Sequence, residues 1–231
     1  MSDLKSYIGF PASDPLKSHL NNFLEASEAG DKRTGELFVS FVDVLTREVI
    51  DALLLQTIEI ARLNSMSQRV IHMCASTSNK VSGALTSKIY RKAPIRELQL
   101  VANLWQGFLR NTEKDGSGQW YILTEISDEF AAEIDAILAE KGDVTPYEPA
   151  DREYAIGIYQ RLMDIIIEQF FLEASTRVNM GGITKKMLNM GLDSVKAAIH
   201  AVLHKVVKKL DPEPLGRYVE HTTQFYIKLD H

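Results

Sequence analysis

Apolar residues recur at spacings of three and four along most of this chain, the period of helices with one buried face. The clearest run is Phe38, Phe41, Leu45, Val49 and Leu53, with Glu36, Asp43, Arg47 and Asp51 between them. No proline or glycine interrupts this stretch after Gly35, so the pattern predicts a helix from about Thr34 to about Leu63. Before it, Ser13-Asp14-Pro15 reads as a cap with proline in the first turn, opening a helix that ends near Gly30. After it, Gln68 to Lys92 predicts a third helical region. A break is expected at Ser76-Thr77-Ser78-Asn79, where short polar side chains compete for the backbone. Pro94 opens a fourth helix, Ile95 to Arg110, with Leu98, Val101, Leu104, Trp105 and Phe108 as its buried stripe.

The pattern then changes. The turn signal Asp115-Gly116-Ser117-Gly118 leads into Gln119 to Leu123, rich in aromatic and branched residues and short enough for a strand. Ser127-Asp128 caps a helix reaching Lys141, and Gly142 to Pro149 reads as a linker. A long helix from Asp151 to about Val178 stops at Gly181-Gly182. A short helix to Asn189 and a basic helix from Asp193 to Leu210 are expected next, ended by Asp211-Pro212. The tail, Tyr218 to Leu229, finishes in a strand. The fold class is therefore mainly α: seven to nine helices with a small two-stranded β element.

The two halves resemble each other. Ser13-Asp14 matches Ser127-Asp128, Asp51 to Gln56 matches Asp164 to Gln169, and Arg62-Leu63-Asn64 matches Arg177-Val178-Asn179. Gln119 to Ile122 is echoed by Gln224 to Ile227, although the spacing between partners drifts from about 114 to about 105 residues along the chain. The expectation is two helical repeats, 1–126 and 127–231, packed about a pseudo-twofold axis.

Charge sharpens this picture. From Asn64 to Arg96 there is no acid and six cations, and from Arg177 to Leu210 seven cations face only Asp193. Each segment carries +6, leaving −17 for the rest of a chain whose net charge is −5. In the second segment Lys196, His200, His204 and Lys208 stand one helical turn apart. In the first, Lys80, Ala84, Lys88 and Lys92 do the same. These rows predict an anion-binding surface for an acidic protein, an anionic ligand or a nucleic acid, with a homodimer as a further association. Val70 to Ile89 has the outline of a helix-turn-helix, with Lys80 at the start of its second helix. The competing expectation is that the rows are neutralised within the fold by acids such as Glu125, Asp128, Glu129, Glu133, Asp135 and Glu140.

Composition and motifs narrow the chemistry. Cys74 is the single cysteine and sits among apolar neighbours, which argues for a small buried side chain in a reducing cytoplasm. No apolar run approaches the roughly 20 residues a membrane span requires, so no membrane partner is expected. His200 and His204 have ligand spacing on a helix, but no general-base glutamate lies between them, and no metal, cofactor or catalytic residue is assigned. Phosphate-binding, dinucleotide and nucleophile-elbow motifs are absent. The leading expectation is a non-enzymatic cytoplasmic regulatory or adaptor protein using Lys80, Lys88, Lys92, Lys196, His200, His204 and Lys208. The alternatives are a pseudo-dimeric DNA-binding regulator, and a ligand-binding bundle or enzyme with its site between the long helices.

Overall fold

The structure, a computed structural model, describes residues 4–113, 118–139 and 149–230. It is mainly helical, with eight helices and a four-stranded antiparallel sheet among the described residues. The sheet corrects the expected two-stranded element. The predicted turn at Asp115 to Ser117 and most of the predicted Gly142 to Pro149 linker lie outside the described residues.

Strand β1 (Leu4–Pro11) leads into α1 (Asp14–Ala29). Ser13 caps α1 by accepting from the Leu16 amide at 3.1 Å, and Gly30, with φ 67°, closes it in the left-handed conformation. Helix α2 runs Thr34–Ile50, continues through a π turn at Asp51–Leu55 and ends as Gln56–Ile60. Next come α3 (Ser65–Tyr90), α4 (Ile95–Phe108) and β2 (Leu109–Asn111). The second half begins at β3 (Trp120–Glu125) and α5 (Asp128–Ala139). Helix α6 runs Pro149–Ile167, passes a π turn at Glu168–Leu172 and ends as Glu173–Thr176. Helix α7 (Gly182–Lys205), α8 (Pro212–Thr223) and β4 (Tyr226–Asp230) complete the chain.

Three expectations need correcting. Helix α3 is unbroken through Ser76 to Asn79, so the helix-turn-helix outline has no turn. Tertiary packing overrides the local preference, because α3 lies against both α2 and α7 and buries Ile71, Ala75, Ser78, Leu85 and Ile89. Helix α7 is likewise continuous where a short helix and a separate basic helix were expected. Gly191 sits within it because α7 presses on α3 there: a Cβ at this position would lie 2.6 Å from Leu85 and 3.0 Å from Val81. Finally, Tyr218, where the tail was expected to begin, lies within α8, which Pro212 opens, and the closing strand starts only at Tyr226.

The sheet order is β2-β3-β1-β4. At its centre Gly9 stands opposite Leu123, and β1 is flanked by β4, with Tyr7 opposite Ile227. Above the sheet an aromatic cluster fills the core. Trp105 stacks on Phe170 at 5.7 Å and meets Phe41 edge-on at 4.7 Å, while Phe10 lies 5.1 Å from Phe225. Truncating Trp105 to alanine should cost about 3–5 kcal/mol of stability, read by urea denaturation. A loss below about 1 kcal/mol would mean that the cluster is not the core.

Each half contributes a late helix that holds the other half's long helix. Arg217 of α8 donates from Nε to the Ile60 carbonyl at 2.7 Å, and His221 Nε2 bonds the Ala52 carbonyl within the π turn at 2.7 Å. In return Glu97 of α4 accepts from the Asn179 amide, just past α6, at 3.0 Å. These bonds satisfy backbone groups that helix ends and π turns leave free. The halves therefore interlock rather than sit side by side.

Candidate functional site

The long helices α2 and α6 are amphipathic over most of their length, and their packing under α3 and α7 leaves a space that is not filled. A cavity of about 80 Å³ opens between these four helices. Val42, Val49 and Ile50 of α2 line one side and Met163, Ile166 and Ile167 of α6 the other. Leu85, Ile89, Leu188 and Ile199 form the roof. Both π turns reach it, through Leu53 and Leu54 from one half and Phe170 and Phe171 from the other. A π turn shifts the side-chain register of a helix by one residue, and such turns recur at functional sites.

Among the described residues no charged side chain lines this space. Its polar groups are Thr46, Ser78, Ser82, Thr86 and Tyr90. Ser78, Ser82 and Thr86 follow one another at every fourth residue of α3, so a row of hydroxyls runs along an otherwise apolar wall. Thr46 and Ser82 bond each other at 2.9 Å. Ser78 is buried, and its Oγ makes no well-formed hydrogen bond, the Cys74 thiol one turn earlier being only a weak partner. A hydroxyl left without a good bond in an apolar wall costs about 1–3 kcal/mol. At about 24 cal/mol per Å³, the void costs on the order of another 2 kcal/mol.

Cys74 lies one turn before Ser78 and is buried. Burial pushes its thiol up to about 11, partly offset by the Ser78 hydroxyl. The thiol is thus held neutral, as expected for a small buried side chain and not for a nucleophile. Thiol labelling by a chromogenic disulfide at pH 8 should be slow in the native state and fast in urea. The linked stability is fully present below pH 9 and declines as pH climbs toward 11, because only the unfolded thiol ionises in that window. Rapid native labelling would contradict this burial.

The sequence-predicted anion residues are scattered in their engagements. Lys196 Nζ lies 3.4 Å from Asp164 Oδ1, and His200 Nε2 lies 3.8 Å from the same oxygen, both beyond hydrogen-bond contact. His204 Nε2 bonds Gln160 at 2.7 Å, and Lys208 pairs with Glu153. All these partners are on α6, whereas Glu133 pairs with Arg161 and Asp135 with Lys228. So α6, and not α5, supplies the acids that meet this row. In the other row, Lys80, Lys88 and Lys92 are exposed and form no ion pair among the described residues, although Lys88 Nζ lies 3.0 Å from Met187 Sδ. Among the described residues no three His, Cys, Asp or Glu side chains cluster as metal ligands would.

The cavity walls could not be read from sequence as a site, because Val, Ile and Leu at helical spacing also describe an ordinary core. One signal was present: three hydroxyl residues at i, i+4 and i+8 on the apolar face of α3. No family model matches this chain, and no curated protein or solved structure matches it.

Proposed function

We propose that this protein binds a slim, neutral, apolar molecule carrying one hydrogen-bonding group, its polar end seated in the partly open cavity between α2, α3, α6 and α7, whose volume of about 80 Å³ takes only the first few carbons of a longer chain. The observation that carries this reading is an apolar void whose polar features, among the described residues, are hydroxyls, one of them without a well-formed hydrogen bond. Evolution toward stability alone would close the void and remove Ser78's poorly bonded hydroxyl. The absence of charge in the wall favours an alcohol, aldehyde or ester over a carboxylate, since an unpaired buried charge is far more costly than a paired hydroxyl.

The same elements recur in both halves, and this supports a duplicated bundle about a pseudo-twofold axis as the frame for the site. From the π turns onward each element of the first half reappears 117 residues later: Asp51–Leu55 and Glu168–Leu172, Ser65 and Gly182, Leu109 and Tyr226. For β1 and α1 the spacing is 114, as between the caps Ser13 and Ser127. Even the sheet bonds come in exchanged pairs. The Ala12 amide donates to the Trp120 carbonyl at 2.8 Å, and the Ile126 amide to the Ser6 carbonyl at 3.0 Å. On this alignment Lys88 corresponds to Lys205 and Lys92 to Lys209. Lys80 and Lys196 stand 116 residues apart, one short of this spacing. The cavity lies where the two halves meet, with one π turn from each.

Native mass spectrometry of the freshly purified protein should show adducts of neutral lipid-like mass, removed by organic extraction. The extracted protein should then bind 1-dodecanol at least tenfold more tightly than dodecanoate at pH 8. Equal affinity for the two, or no uptake of either, would overturn the reading.

A second reading, an anionic or acidic partner on the exposed cations, is favoured by Lys80, Lys88 and Lys92, which remain unpaired among the described residues.

A further inference from the structure

Helices α3 and α7 form the outer cover of the cavity. Their packing partners are α2, α6 and each other. They run antiparallel: Gly191 meets Leu85 and Val81, and Met187 meets Lys88, so rising numbers on one helix face falling numbers on the other. At 1.5 Å per residue the pair spans about 40 Å.

The outer line of this pair is unusual. Met66 is 77% exposed and Met73 66% exposed, seven residues apart on one face of α3. Ile183 is 79% exposed and Met190 60% exposed, again seven apart, on α7. Large apolar side chains are seldom this exposed in groups unless something covers them. Between and beside them stand cations: Arg69 and Lys80 on α3, Lys185 and Lys186 on α7, all exposed and without an ion pair among the described residues. The acid-free run from Asn64 to Arg96 supplies this whole stretch of α3. Burying the opposite faces, Ile71, Ala75 and Leu85 on α3 and Leu188, Ile199 and Val202 on α7, turns both apolar-cationic lines outward.

We infer that the α3–α7 face docks on an anionic lipid surface, with Met66, Met73, Ile183 and Met190 entering the headgroup boundary and the flanking Arg and Lys meeting lipid phosphates. No helix of the described residues is long and apolar enough to cross a membrane, so the contact is one of lying on the bilayer. Three features select this occupant. The apolar residues stand on the outermost line of two helices rather than in a groove, which suits a plane better than a peptide. The unpaired charge on these two helices is positive apart from Asp193, which is exposed beside Met190 and in no ion pair among the described residues, and this excess of cations opposes stacking a second copy on the same face. The face also roofs a cavity fitted to a neutral lipid-like molecule, so docking would bring that cavity to its source; this last point rests on the proposed function, the other two do not.

The test is co-sedimentation of the full chain with vesicles of phosphatidylcholine alone, and with about one third phosphatidylserine, where each basic residue near the surface contributes about 1 kcal/mol. Partition onto the mixed vesicles should exceed that onto phosphatidylcholine at least tenfold and should fall as salt is raised. The charge variant R69E/K80E/K186E and the apolar variant M66S/M73S/I183S/M190S should each lose at least tenfold. Both keep the native far-ultraviolet circular dichroism, because every altered side chain is exposed. Dodecanol binding should be unchanged in both, which separates failure here from failure of the cavity reading. Equal uptake by the two vesicle types, or insensitivity to either variant, would overturn the inference. So would capture by immobilised polyglutamate without vesicle binding, which would assign the face to an acidic protein.

Discussion

Substituting valine for Gly9 is expected to lower the unfolding free energy by about 3 kcal/mol or more. By β-propensity alone valine should help a strand by up to about 1 kcal/mol. The geometry reverses that sign. A Cβ on Gly9 would stand 2.2 Å from the Ile122 carbonyl oxygen and 2.3 Å from Leu123 Cδ2, in the central strand pair of the sheet. Backbone cannot yield there without parting β1 from β3, and forced overpacking of this kind costs about 1–3 kcal/mol or more. Gly30 supplies the control. Its φ is 67°, but a Cβ there would meet nothing within 4 Å, so Gly30→Ala should cost only about 1 kcal/mol. Urea denaturation with unchanged slope reads both. A Gly9→Val loss smaller than the Gly30→Ala loss would mean that β1 and β3 are not paired in this register.

Replacing Ser78 by valine should move stability and binding in opposite directions. Ser78 is buried in the cavity wall and its hydroxyl makes no well-formed hydrogen bond, so removing that group and filling part of the void should raise stability by about 1–2 kcal/mol. The same change should weaken 1-dodecanol binding at least tenfold, because the hydroxyl's partner is then gone and the space is smaller. A role in packing alone predicts the stability gain without a binding change. Ser78→Thr, which keeps the hydroxyl, should retain most of the affinity. Loss of stability in Ser78→Val together with full binding would contradict the assignment of this wall.

Much of the fold was legible in the sequence because it rests on local pattern. The Phe38 to Leu53 stripe fixed α2, and Ser13-Asp14-Pro15 marked the start of α1 to the residue. What escaped had weak local signals. Leu4–Pro11 is a strand buried on both faces, with Tyr7 through Phe10 inaccessible, so it lacks the alternation that marks a half-exposed strand. Its Gly9 and Pro11 read as breakers, yet Gly9 answers a close backbone approach. The Ser76 to Asn79 run suggested a break because short polar residues favour turns. In α3 the inward member, Ser78, lines a cavity instead of meeting solvent. The π turns have no sequence signature at all, although they place Leu54 and Phe171 in the cavity wall.

The cationic rows show the same limit from the other side. Spacing put Lys196, His200, His204 and Lys208 on one face of a helix; Lys196, His200 and His204 do share one, but α7 ends at Lys205 and Lys208 lies in the 3-10 turn Val207–Lys209 beyond it. Which partners they meet depends on α6 lying alongside, with the acids Asp164 and Glu153 and the amide of Gln160 one turn or more apart. That is a tertiary fact and no pattern within α7 carries it. Exposure of the methionines on α3 and α7 is likewise invisible in a sequence, where methionine at helical spacing most often marks core.

The most direct measurement uses the methionines themselves. Met163 is 4% exposed and lines the cavity, whereas Met66 and Met73 lie on the outer surface. With methyl-¹³C methionine, titration of the extracted protein with 1-dodecanol in the absence of vesicles should shift the Met163 methyl resonance saturably. The Met66 and Met73 resonances should stay in place. If Met163 does not move while dodecanol binds, or moves no more than the surface methionines, the cavity is not the binding site.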